Sequence, residues 1–74
     1  MMTLTDRRKK ILKEIAADKT TKEIASELNI STKTIEYHRK CLYVITNCNS
    51  AIGLTLWAIK KGIVSVEVEQ NYNI

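Results

Sequence analysis

A chain of 74 residues has room for one small domain and none for a separate catalytic one. Apolar residues make up 45%, proline is absent and there are two glycines, which excludes a disordered composition and favours helices over a turn-rich β fold. The net charge is +4, but both acids of the last ten residues, Glu67 and Glu69, lie beyond the last lysine, so residues 1–64 carry +6. That bias suits a polyanionic partner and is also common on plain soluble helices.

Cys41 and Cys48 show no CxxC and no Cys/His metal spacing, so the expectation is two reduced, semi-buried thiols and no metal. The basic N-terminus is not followed by an apolar segment, and nowhere are there 18 consecutive apolar residues. Neither a signal peptide nor a membrane span is expected, and the chain is placed in the cytoplasm.

In chain order, Ile11, Leu12, Ile15 and Ala16 form one stripe of a helix over about 6–17, with Thr5 as N-cap and Leu4 just outside it. Position N3 holds Arg8 where a capping box wants Glu. The positive charges of Arg7–Lys10 oppose the helix dipole, so this start should fray or find an anionic partner. The cluster is either a solvated turn or a further contact to a polyanion. Thr20 and Glu23 fit a capping box, opening a helix over 21–28 whose inner face is Ile24, Ala25 and Leu28. Asn29 tolerates the left-handed conformation of a tight turn, Ile30 plugs that turn, and Ser31 is the next N-cap. The third helix, about 31–46, sets Ile35, His38, Leu42 and Ile45 inward. A fourth starts near Asn49 or Ser50 and stops at Lys60-Lys61-Gly62, a basic last turn followed by glycine, giving about 50–61. Beyond it Val64, Val66 and Val68 alternate with polar residues, the pattern of a half-buried strand, which needs a partner chain or hangs loose. The expected architecture is all-α: a domain over 1–64 and an extended or disordered tail over 65–74.

The stretch Thr21 to Lys40 follows the logic of a helix-turn-helix: a capped helix, a short turn, a second capped helix, and Ala25 where the helices cross closely. Leu4-Thr5, Thr20-Thr21-Lys22-Glu23-Ile24-Ala25, Leu28, Ile30-Ser31 and Thr34-Ile35-Glu36-Tyr37-His38-Arg39, with Ser50, Leu54, Ala58, Gly62 and Ile63-Val64, together resemble the LuxR/GerE-type DNA-binding domain of bacterial transcription regulators. The resemblance covers about residues 4–64 in one gapless register and implies a four-helix domain. It departs from the family pattern in several places. Arg8 and Lys10 stand where the family has acids, Asp18 where it has glycine, and Thr21 where it has asparagine. Ile45-Thr46-Asn47-Cys48 replaces Lys-Leu-Gly-Val, and Ala51-Ile52-Gly53 replaces Arg-Ala-Glu.

On the third helix Lys33, Glu36, Tyr37, Lys40 and Tyr43 or Val44 fall opposite the inner stripe, by spacing alone a solvated face. The resemblance implies that Glu36, Tyr37 and Lys40, with Lys33 beside them, meet base edges. A lysine suits guanine O6/N7, a glutamate accepts from cytosine N4, and an aromatic ring packs on a thymine methyl. Thr20, Thr21, Lys22, Ser31, Thr32, Thr34 and Arg39 offer hydroxyls, helix N-terminal amides and cations suited to phosphates, though Thr20 and Ser31 also serve as caps. His38 has no carboxylate or serine partner at hand, so it is read as a packed ring that also reaches the DNA backbone. Leu56, Trp57 and Ile59 read as core, yet a helix of this length cannot bury every side. The resemblance implies a homodimer seam there, through Leu56, Trp57, Ile59 and Lys60. The expected function is a stand-alone, sequence-specific regulator on double-stranded DNA, with no cofactor and no catalysis. The alternative is an interaction module acting on RNA polymerase or another regulator.

Overall fold

The computed structural model describes residues 3–66, which form four helices: α1 (Asp6–Ala16), α2 (Thr21–Leu28), α3 (Thr32–Thr46) and α4 (Ala51–Lys60). Each begins one residue after a hydroxyl N-cap. Thr5 accepts from the amide of Arg8, Thr20 from Glu23, Ser31 from Thr34 and Ser50 from Gly53. Around Thr20 both halves of the capping box are present, since the Glu23 carboxylate also accepts from the Thr20 amide at 2.9 Å. These caps satisfy donors that a helix start otherwise leaves without a partner.

A left-handed residue follows each helix: Asp18 (φ 63°), Asn29 (φ 56°), Asn47 (φ 58°) and Gly62 (φ 75°). After α1, α2 and α4 the backbone closes on itself. The amides of Asp18 and Lys19 return to the carbonyls of Ile15 and Glu14, those of Asn29 and Ile30 to Ser26 and Ala25, and those of Gly62 and Ile63 to Ile59 and Ala58. Asp18 and Asn47 stand where the resemblance would place glycine, and both are left-handed, the conformation glycine takes without steric cost. Here short polar side chains take the same conformation.

α1 packs across both α4 and α3, and α2 packs on α3. The core between them is Ile11, Leu12 and Ile15 of α1, Ile24 and Ala25 of α2, Ile35 and Leu42 of α3, and Leu54 and Ala58 of α4. Leu4, Leu28, Ile30 and Ile63 close its edges, Ile30 from the turn between α2 and α3. Ala25 is buried where those two helices meet.

One expectation needs correction. The buried face of α3 runs through Ile35, Cys41, Leu42 and Thr46, leaving His38 and Ile45 half-buried, because α3 packs on α1, α2 and α4 and no single straight stripe serves all three. Tyr43 is half-buried against the core, and it is Val44 that faces outward. At the start of α1 one of the basic side chains has partners within the chain. The Arg8 side chain folds back, one guanidinium nitrogen donating to the Thr3 carbonyl (2.8 Å) and another to Cys41 Sγ (3.4 Å). The valine alternation makes no strand among the described residues: Val64 packs on the core, Val66 is exposed, and Val68 lies outside the described residues, as does most of the expected tail.

Candidate nucleic-acid interface

A straight helix with one buried stripe exposes the opposite one, and α3 does this along its first three turns. Lys33, Glu36, Tyr37 and Lys40 are all exposed, Tyr37 by 56%. With Ile35 and Leu42 locked in the core beneath them, their backbone positions are set by packing.

Two helix N-termini flank this stripe. At the start of α2 the capping box occupies the Thr20 and Glu23 amides, leaving those of Thr21 and Lys22 without an intrahelical partner. The Glu23 carboxyl is held below its usual 4.5, chiefly by the Thr20 backbone hydrogen bond, so it keeps a negative charge close to these amides. At the start of α3 the Ser31 hydroxyl takes the Thr34 amide (3.1 Å) and pairs with the Thr34 hydroxyl (2.9 Å), which leaves the Thr32 and Lys33 amides available. Arg39 ties the start of α2 to the middle of α3: half-buried, it donates to the Thr21 hydroxyl at 3.4 Å. Thr20, Lys22, Ser31, Thr32 and Thr34 are exposed and Thr21 half-buried. Of the expected polar residues the structure joins Arg39 to Thr21 and Ser31 to Thr34, with the length of α2 between the two groups.

His38 is half-buried, its ring edge-on to Tyr37 at 5.6 Å, and its Nδ1 is buried without a hydrogen-bond partner. Burial first, then the charges of Arg8 and Arg7, push its pKa below 6.5. The ring is thus neutral at neutral pH and contributes no positive charge to this surface. Arg8 lies at the same α1–α3 seam and was not among the expected site residues. The signal available for it was a basic residue where the family pattern has an acid.

A second cluster bridges α1 and α2. Lys19, in the turn between them, donates to Glu14 of α1 (2.5 Å) and to both carboxylate oxygens of Glu27 of α2 (2.9 and 3.0 Å). Glu14 is buried despite its charge, and the Lys19 hydrogen bond pulls its pKa from 4.5 to about 2. The two glutamates in turn raise Lys19 above its ordinary value.

On the far side of the domain, α4 keeps Leu54 and Ala58 inward and exposes Ile52 (75%) and Leu56 (62%). Of the residues expected at a seam, Leu56 and Lys60 are exposed and Trp57 and Ile59 half-buried, with the Lys61 ammonium 5.8 Å from the Trp57 ring centre. Ile52, one turn before Leu56, shares that face and was not among them. Together with Ile15, Ala16 and Ala51 the pair lines a shallow groove of about 190 Å³. No group of three or more His, Cys, Asp or Glu suited to a metal occurs among the described residues. No single helix there is long and apolar enough to cross a membrane.

The family model for bacterial regulatory proteins of the luxR family matches residues 2–58. The chain belongs to the luxR family. Among similar proteins, the uncharacterized response regulatory protein YgeK of Escherichia coli is 40% identical over 63 residues, 85% of this chain and 43% of that protein. The transcriptional regulatory protein MctR of Rhizobium johnstonii is 42% identical over 62 residues, 84% of this chain and 29% of that one. The spore germination protein GerE of Bacillus subtilis is 54% identical over 35 residues, 47% of each chain. This luxR-family chain thus spans less than half the length of the first two relatives. No solved structure matches it. The luxR family is one of regulatory domains, not enzymes, and its matched segment takes in α1 to α3 and most of α4.

Proposed function

We propose that residues 1–64 act as a sequence-specific, DNA-binding transcription regulator that inserts α3 into the major groove. The observation that carries this reading is the exposed stripe of Lys33, Glu36, Tyr37 and Lys40, flanked by two helix N-termini with uncommitted amides. Base edges would be read by that stripe. Phosphates would be held by Thr20, Thr21, Lys22, Ser31, Thr32, Thr34 and Arg39, with His38 as a neutral contact whose role is packing and hydrogen bonding rather than charge. Two copies would pair through α4, around Leu56 with Trp57, Ile59 and Lys60, the exposed Ile52–Leu56 face supporting that placement. The regulator would act in the cytoplasm and would need no cofactor.

Binding to labelled genomic duplex fragments over a salt series tests this. The expected result is a shift whose affinity falls steeply with salt, because each neutralised phosphate releases counterions. Absence of any shift at low salt would favour the second reading, a helix-turn-helix module that docks on RNA polymerase or another regulator. The apolar α1–α4 groove is the feature that favours that reading.

A further inference from the structure

Only two apolar side chains of α3 are strongly exposed: Tyr37 at 56% and Val44 at 66%. The others have work inside the domain. Ile35, Cys41 and Leu42 are buried, and Tyr43 and Ile45 are half-buried. A single exposed valine is ordinary on a soluble helix, so exposure alone assigns nothing. Its position does. Val44 lies seven residues after Tyr37 and four after Lys40, two turns along the same face, and so extends the stripe that carries Lys33, Glu36, Tyr37 and Lys40.

We propose that Val44 is a specificity residue that reads the 5-methyl group of a thymine in the major groove. This rests on the reading of α3 as a major-groove helix. Seven residues of helix rise about 10.5 Å, at most about three base-pair steps of about 3.4 Å for a helix inclined in the groove, so Val44 meets a different base pair from the one facing Tyr37. The duplex is the occupant that the surroundings select, since Lys40 lies one turn before Val44 on the same face, a cation suited to a polyanion and poorly suited to an apolar protein surface. Within the major groove the thymine methyl is the apolar group that base pairs present. A cation at this position would be drawn to phosphates whatever the sequence; a valine gains only where a methyl group lies opposite.

The test is selection of bound duplexes from a random pool with the wild type and with Val44→Ala, followed by replacing thymine with deoxyuridine, which lacks the methyl group, at the position that the variant reads differently. The wild type should prefer thymine at one position per half-site, and Val44→Ala should lose that preference while keeping the rest of the motif. Deoxyuridine there should weaken the wild type about fourfold, the worth of one buried methyl, and leave Val44→Ala unchanged. Val44→Thr keeps the branched shape, and matching thermal melts of both variants show that the fold is intact. Identical motifs for wild type and Val44→Ala, or a wild type indifferent to deoxyuridine, would overturn the role of Val44 while leaving α3 as the reading helix. A wild type that enriches no motif would overturn both.

Discussion

The ends of α2 and α3 solve the same problem in different ways. After α2 the backbone closes on itself around left-handed Asn29, with the Ile30 amide on the Ala25 carbonyl at 3.0 Å. After α3 the residue in the equivalent place, Asn47, is also left-handed, but the work passes to a side chain. The buried Thr46 hydroxyl donates to the Leu42 carbonyl (2.7 Å) and accepts from the Cys48 amide (3.2 Å). A closure made of backbone depends on conformation alone and survives many side-chain changes. A closure made of one hydroxyl fails with that hydroxyl. The first kind holds the reading unit together; the second joins it to α4, the helix proposed to carry the dimer seam.

The largest expected effect follows from removing that hydroxyl. Thr46→Val keeps the branched shape but leaves the Cys48 amide without its partner and the Leu42 carbonyl with its helical one alone, which should destabilise the domain by about 1–2 kcal/mol in urea unfolding, while Thr46→Ser should restore most of the loss. A substitution at the matching place after α2, Leu28, would remove packing but no closure, so it offers no equivalent hydroxyl effect.

The joint between α1 and α2 differs from both in being titratable. Glu14 has a folded pKa of about 2 against an ordinary 4.5, so its contribution is present above 4.5 and is lost as pH falls from 4.5 toward 2. Thermal melts across this range should fall for the wild type and fall less for Glu14→Gln, which should itself be less stable at neutral pH by about 1 kcal/mol. His38 acts in the same direction higher up. Its folded pKa lies below 6.5, so stability is retained above that value and declines as pH drops through it.

Left-handed positions give the smallest shifts, and of opposite sign. Gly62 has nothing within 4 Å of where a Cβ would sit, so Gly62→Ala isolates backbone strain and should cost about 1 kcal/mol. Asn47→Gly relieves strain but frees the unfolded chain, for a net gain of ~0.5 kcal/mol. Calorimetry on the two variants checks both signs.

What the sequence made legible was local. The Thr20/Glu23 capping box, the Ser31 cap, the Asn29 turn and the 21–28 helix depend on residues within a turn or so of one another, and each is found as expected. What stayed hidden crosses the chain. Arg8 meets Cys41 thirty-three positions away, and Lys19 joins residues five and eight positions to either side, spacings that no helical period marks. The inner face of α3 departs from the spacing in its second half because three helices pack on it, which brings Cys41 and Thr46 inward in place of Ile45. The exposed stripe of the site was legible as an amphipathic face; the Arg39–Thr21 bond that joins mid-α3 to the start of α2 was not.

The central claim is that α3 reads bases and does more than hold phosphates. It is tested most directly by comparing Lys40→Ala with the wild type on a selected duplex and on a random one at the same salt. The prediction is a loss of about 1–3 kcal/mol on the selected duplex, with a much smaller one on the random duplex. Equal losses on the two duplexes would contradict it, because Lys40 would then be contributing charge alone.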